Sequence, residues 1–228
     1  MRDSPPARIH AALFDVDGTL VDTNDLHAAA WQQAFGRFGR DVGFDTVRFQ
    51  IGKGGDNLIP ALFPDMSESE REEIEAWRSD LFKRDYLPRA QPFPGVRMLF
   101  ERLHADAIRI VLASSSGADE VDFHVGLIGA ADLIAATTSK DDVESSKPCP
   151  DIFETAMAKA GPYARHEMIV VGDTPWDAKA AGKAGLGAIG FRCGGFSDEA
   201  LRAAGMSALF DGPADLLRRY DSSVFANG

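Results

Sequence analysis

The 228-residue chain is 45% hydrophobic and carries a formal net charge of −11, enough apolar material for one large domain or for one domain with a smaller one inserted. That acidity, with no run of Lys and Arg to offset it, argues against nucleic-acid binding. Two distant cysteines, Cys149 and Cys193, form neither a disulfide framework nor metal-ligand spacing, no apolar run approaches the ~18–20 residues of a membrane span, and Met1 to Arg8 lacks the apolar core of a signal peptide, so a soluble cytoplasmic protein is expected.

Ile9 to Phe14 is an apolar run and predicts a buried strand. Asp22, Thr23, Asn24 and Asp25 are candidate helix N-caps, and Leu26, Ala30, Ala34 and Phe38 follow at helical spacing. From Asp41 to about Pro92 strand signals are almost absent. A loop, Gly52 to Asn57, precedes the patch Leu58 to Phe63. A second long helix then begins at Ser67, with Glu70 three positions on, and runs through Ile74, Trp77, Leu81 and Phe82. Residues 21–91 are therefore expected to be a helical insertion, closed off by Gln91-Pro92-Phe93-Pro94-Gly95. Trp31, Trp77 and Phe82 are assigned to its core. Beyond it the pattern alternates. Helices are expected at Val96 to Ala105, Gly117 to Gly126, Asp151 to Ala160, Pro175 to Ala184, Ser197 to Ala204 and Ala214 to Tyr220. Strands are expected at Ile108 to Ala113, Leu133 to Ala136, Met168 to Val171, Leu186 to Phe191 and Ala208 to Phe210. The fold class that follows is α/β, a Rossmann-like parallel sheet with helices on both faces, formed by 1–20 and 92–228. Ligands of such sheets collect at the carboxyl ends of the strands.

Four stretches at predicted strand ends carry chemistry. Asp15 and Asp17 follow the first strand, with Gly18 and Thr19 turning the chain. Two carboxylates so placed suit a hard cation such as Mg²⁺ and a division into nucleophile and acid/base, although Asp-Gly-Thr is also ordinary turn composition. Ser114-Ser115-Ser116-Gly117 sets hydroxyls and N–H groups ahead of a helix. That is an anion site or simply a helix cap. Lys147 stands between polar residues and a proline-stiffened helix start, as a point charge for phosphate, a counter-ion for a carboxylate, or one surface Lys among many. Gly172-Asp173-Thr174-Pro175-Trp176-Asp177 adds two carboxylates one helical turn apart, with Gly172 permitting close approach and Pro175 at a first helical position. Together these are phosphoryl-transfer equipment.

The four stretches also resemble the motifs of the haloacid dehalogenase-like hydrolase superfamily. DxDGTL stands at Asp15 to Leu20, the Ser after an apolar strand at Ser114, the Lys-Pro at Lys147-Pro148, and GDxxxD at Gly172 to Asp177. Ser146 replaces the Gly that many relatives carry before the Lys. The resemblance covers nearly the whole chain and implies that 21–91 is a helical cap. It implies that Asp15 attacks phosphorus to form an aspartyl-phosphate, while Asp17 protonates the leaving oxygen and then activates water. Mg²⁺ would be held by Asp15, the carbonyl of Asp17 and Asp173, with Asp177 behind them. Gly18, Ser114, Ser115 and Lys147 would hold the phosphoryl oxygens. The substrate implied is a small phosphorylated metabolite, of the sugar-phosphate or phosphoglycolate type, with no nucleic acid or membrane as partner. A β-phosphoglucomutase-like mutase is the alternative, since Asp22 to Trp31 resembles the matching stretch of those enzymes and His27 stands where their His steers the acid/base Asp. Their cap-loop Arg is missing between Gly52 and Asn57, where Lys53 is the candidate contact to an anionic group of the substrate. A 2-haloacid dehalogenase, which lacks the second Asp, and a non-catalytic binding protein are the remaining readings. His10, His104, His124 and His166 have no motif context and are assigned to surface or helix packing, and Trp176 to packing.

Overall fold

The computed structural model describes residues 8–226; all but the last residue of the Met1 to Arg8 stretch lies outside them. The chain opens with β1 (Ala11–Phe14), then β2 (Val21–Asp22), and enters four helices: α1 (Asn24–Arg37), α2 (Phe44–Arg48), α3 (Gly55–Leu62) and α4 (Glu68–Leu81). The last continues as a π turn at Phe82–Tyr86 and a 3-10 turn at Leu87–Arg89 before β3 (Gln91–Pro92). The alternating part follows: α5 (Val96–Ala105), β4 (Arg109–Ala113), α6 (Ala118–Ile128), β5 (Ile134–Thr138), α7 (Asp151–Ala160), β6 (Met168–Gly172), α8 (Pro175–Lys183), β7 (Gly187–Phe191), α9 (Asp198–Ala204), β8 (Met206–Phe210) and α10 (Pro213–Arg218). Among the described residues no helix is long and apolar enough to cross a membrane.

Six strands form one sheet in the order β5-β4-β1-β6-β7-β8, every pairing parallel. β1 is central and shows why its four residues are all apolar. Ala12 and Phe14 point into one core layer and Ala11 and Leu13 into the other, as the two-residue period of a strand dictates. Phe14 meets Phe100 of α5 with ring centroids 5.1 Å apart. Sheet order puts β4, β1 and β6 side by side, so the polar residues after each of them meet at one edge.

The segment between β2 and β3 packs largely on itself. Trp31, Ala34 and Phe35 of α1 bury against Val47, Ile51, Leu58, Ile59, Met66 and Ile74, which is the apolar stripe that the spacing predicted. Ser67 caps α4, its hydroxyl accepting from the Glu70 N–H at 3.3 Å. One feature was not foreseen. The chain leaves and re-enters the sheet region as a short antiparallel ribbon, Val21 opposite Pro92 and Asp22 opposite Gln91. Two-residue strands carry no periodicity to read, and Pro in one of them points away from a strand assignment.

Candidate active site

The floor of the site is the tip of β1. Asp15 is buried, and its carboxylate meets the Lys147 ammonium and accepts from Thr19 Oγ1 at 3.1 Å. Lys147, fully buried, also contacts Asp177 Oδ1 at 2.7 Å and donates to the Ala113 carbonyl at 3.1 Å. Asp173 is fixed by Thr19 Oγ1 at 2.6 Å and Asn24 Nδ2 at 2.7 Å. Asp177 accepts from the backbone N–H and the hydroxyl of Thr174, at 3.0 and 2.6 Å, which closes a capping box at the start of α8. Gly18 has φ +77°, and a Cβ there would lie 2.4 Å from Asp173 Oδ2. One on Gly172 would lie 2.5 Å from Asp177 Cγ. Both positions need glycine for the carboxylates to close in.

Asp15, Asp173 and Asp177 each offer an oxygen within 4.8 Å of the others, a hard, all-carboxylate donor set that fits a divalent cation of the magnesium type. Burial drives the Asp15 carboxyl well above the usual range, and Asp177, Asp173 and Asp17 push the same way against Lys147. Asp173 is pushed up to about 7, by burial first and Asp177 second, with the hydrogen bonds from Thr19 and Asn24 opposing. Burial acts to discharge Lys147, but Asp15 and Asp177 outweigh it and keep the ammonium protonated. Repelling carboxylates around one lysine are what a cation would relieve.

Asp17 faces the other way, outside this set. Its Oδ1 meets His27 Nε2 at 2.9 Å and Thr23 Oγ1 at 2.8 Å. Its Oδ2 accepts from Ser114 at 3.2 Å and Ser116 at 2.9 Å. Burial works to raise this carboxyl, yet His27, His124 and the hydrogen bonds from His27 and Thr23 hold it well below the carboxylate range. His27 Nδ1 meets the guanidinium of Arg78, which only donates, so Nδ1 is the acceptor and Nε2–H points at Asp17. Phe82 stacks beneath the imidazole at 4.0 Å, the planes 9° apart.

Beside these groups lies a cavity of about 320 Å³ between sheet edge and helical insertion. Ser115 lines it, its hydroxyl buried and without a partner; Ser114 is bound to Asp17 instead. Lys53 lines the cavity too, but its Nζ donates to Gln50 Oε1 at 2.6 Å and sits 4.1 Å over the Trp176 ring. Trp176 thus serves Lys53 as well as packing. Ion pairs line the cavity, and further hydrogen bonds join the insertion to the rest of the chain. Lys83 meets Asp119 at 2.7 Å, Lys140 pairs with Glu75, and Arg48 donates to the Gly194 carbonyl. Asp56 accepts from the Ser146 N–H at 2.9 Å, and Asn57 donates to its carbonyl at 2.9 Å.

Three assignments gain detail. His124, assigned to surface or helix packing, is fully buried, its Nδ1 3.9 Å from Asp17 Oδ1, with its pKa lowered by burial. Trp31 is core on one side only and lines the cavity with the other. Phe82 is core and also the platform for His27. Sequence reasoning also missed the parts played by Thr19, Thr23, Asn24, Arg78 and Glu120. For Thr23 and Asn24 the signal was read as helix capping. In the structure Thr23 occupies the N-cap position, but its hydroxyl makes no capping bond and goes to Asp17.

Comparison with known proteins gives concordant results. The family model described as haloacid dehalogenase-like hydrolase matches residues 12–191. A phosphoglycolate phosphatase of Yersinia pseudotuberculosis is 30% identical over 214 residues, 92% of each chain. A validoxylamine A 7'-phosphate phosphatase of Streptomyces hygroscopicus is 25% identical over 179 residues, 78% of this chain and 84% of its own. Among solved structures, a hydrolase from Pseudomonas syringae superposes with a TM-score of 0.88 at 26% identity, covering 95% of this chain and 99% of that one.

Proposed function

The chain belongs to the haloacid dehalogenase-like hydrolases, and from that premise we propose that it is a magnesium-dependent phosphatase of small phosphomonoesters, working through an aspartyl-phosphate. One observation carries the reading: Asp15, Asp173, Asp177 and Lys147 converge, all buried, at the carboxyl edge of a parallel sheet and beside an open cavity. Residues 21–91 are read as a cap over a core of 1–20 and 92–228. A cytoplasmic setting suits the two free cysteines.

Asp15, Asp173 and the carbonyl of Asp17 would hold Mg²⁺, with Asp177 behind them; the ion supplies neutralisation of phosphoryl charge. An Asp15 oxygen attacks phosphorus and the P–O bond to the leaving group breaks. Asp17 gives that oxygen its proton, then takes one from the water that attacks phosphorus and releases inorganic phosphate. The contacts to Asp17 favour its ionised form, which suits the second half of this cycle. An arriving phosphoryl dianion raises its proton affinity for the first half. Lys147 and Ser115, whose hydroxyl has no partner within the protein, hold the phosphoryl oxygens. The test is turnover of p-nitrophenyl phosphate: expected with Mg²⁺, abolished by EDTA and in Asp15→Asn, with a phosphorylated Asp15 peptide in rapidly quenched enzyme. Undiminished turnover by Asp15→Asn rules the reading out.

A further inference from the structure

Relatives act, by their names, on different phosphate esters, so the leaving group must be read from the cavity of this chain. That cavity is lined by a buried carboxylate that the steps above do not use. Glu120 of α6 is 3% exposed and lines the cavity. Its Oε2 is buried with no hydrogen-bond partner. Buried carboxylate oxygens are ordinarily satisfied, and an unsatisfied one beside a cavity calls for a donor. Arg78 presents the opposite deficit. Its Nη2 is taken by His27, while its Nε is buried and has no acceptor. The three lysines that line the cavity are engaged, Lys83 with Asp119 at 2.7 Å, Lys140 with Glu75, and Lys53 with Gln50 at 2.6 Å. Trp31 contributes an aromatic wall.

We infer that Glu120 is the specificity-determining residue of this site, accepting a hydrogen bond from a hydroxyl of an uncharged, polyhydroxylated leaving group and barring substrates with a second anionic group. This rests on the phosphatase reading. A hydroxyl both donates and accepts, so one such group answers Glu120 and Arg78 alike. A carboxylate or second phosphate can answer only Arg78, and does so against the Glu120 charge at low dielectric.

The test compares sorbitol 6-phosphate with 6-phosphogluconate, open-chain esters of one length that differ in hydroxymethyl against carboxylate at the far end. Wild-type enzyme with Mg²⁺ should prefer sorbitol 6-phosphate in kcat/KM by at least about tenfold. In Glu120→Gln, which removes the charge at nearly constant shape, that ratio should collapse towards one. The ratio is taken within one enzyme, so losses of folded protein or of Asp15 chemistry cancel, and a merely structural Glu120 would leave it unmoved. Turnover of p-nitrophenyl phosphate with a wild-type ratio of one or below, or an unchanged ratio in Glu120→Gln, overturns the inference alone. No turnover of any of the three esters by the wild type overturns the phosphatase reading, and the inference with it.

Discussion

The sheet edge and the helical segment above it build the same cavity by different means. At the edge, short side chains extend from strand ends whose backbones are pinned by parallel pairing on both sides, and the carboxylates there are almost wholly buried. Above, long side chains reach across from helices and loops, and several of their ion pairs are about a third exposed, as in Lys140 with Glu75 at 35% and 31%. Chemistry that needs fixed geometry sits on the rigid half. Contacts that must adapt to a ligand sit on the other.

Mutagenesis can break this contrast or sharpen it. The largest effect is expected at Asp15, where Asn should lower kcat by about 10⁴-fold or more with the near-UV circular dichroism unchanged; a loss of tenfold or less would place the nucleophile elsewhere. Next is Lys147→Ala. It leaves Asp15 and Asp177 buried without their counter-ion, and urea unfolding should register a loss of about 3–5 kcal/mol. His27→Ala reaches the edge from above. It should lower kcat by about 10²-fold and move KM little, because His27 touches Asp17 and no phosphoryl group.

Asp173 gives the edge a pH response that His124, its pKa lowered by burial, opposes. Asp173 has its pKa raised to about 7 from 3.8. The folded state thus binds its proton more tightly than the unfolded chain, and stability falls as pH rises between those values. Thermal melts of EDTA-treated protein should show Tm dropping by several degrees from pH 5 to pH 7.5, with Asp173→Asn flattening the slope. Saturating Mg²⁺ should flatten it as well. The smallest effect is Lys140→Ala, about 0–1 kcal/mol for a partly exposed pair. A loss comparable to that of Lys147→Ala would erase the distinction between the halves.

The same contrast governs what could be read without coordinates. Strands of the sheet are apolar runs bounded by turns, and Asp15, Asp17, Ser114, Asp173 and Asp177 follow them closely in sequence, so these and the Lys147 of the Lys-Pro pair could be named, and the structure brings all six together. The helical segment was legible as helices because Trp31, Phe35 and Ile74 keep helical spacing. Of its dealings with the site, only His27 beside Asp17 and Lys53 at the cavity were legible, through the resemblance. Arg78 lies in a polar stretch of α4 with nothing to show that it crosses to His27, and His124 sits among residues of mixed polarity on α6. The missing Arg between Gly52 and Asn57 spoke against a mutase, yet Arg78 brings a guanidinium to the cavity from another helix. Which long side chains converge depends on how helices pack, and local pattern does not encode that.

The ribbon of β2 and β3 ties these halves at one seam. Thr23, Asn24 and His27 follow it at once, and through them the carboxylates of Asp17 and Asp173 are gripped. On the proposed reading, a swivel of the helices about that seam would loosen the hold on Asp17 and on Asp173 in the same stroke.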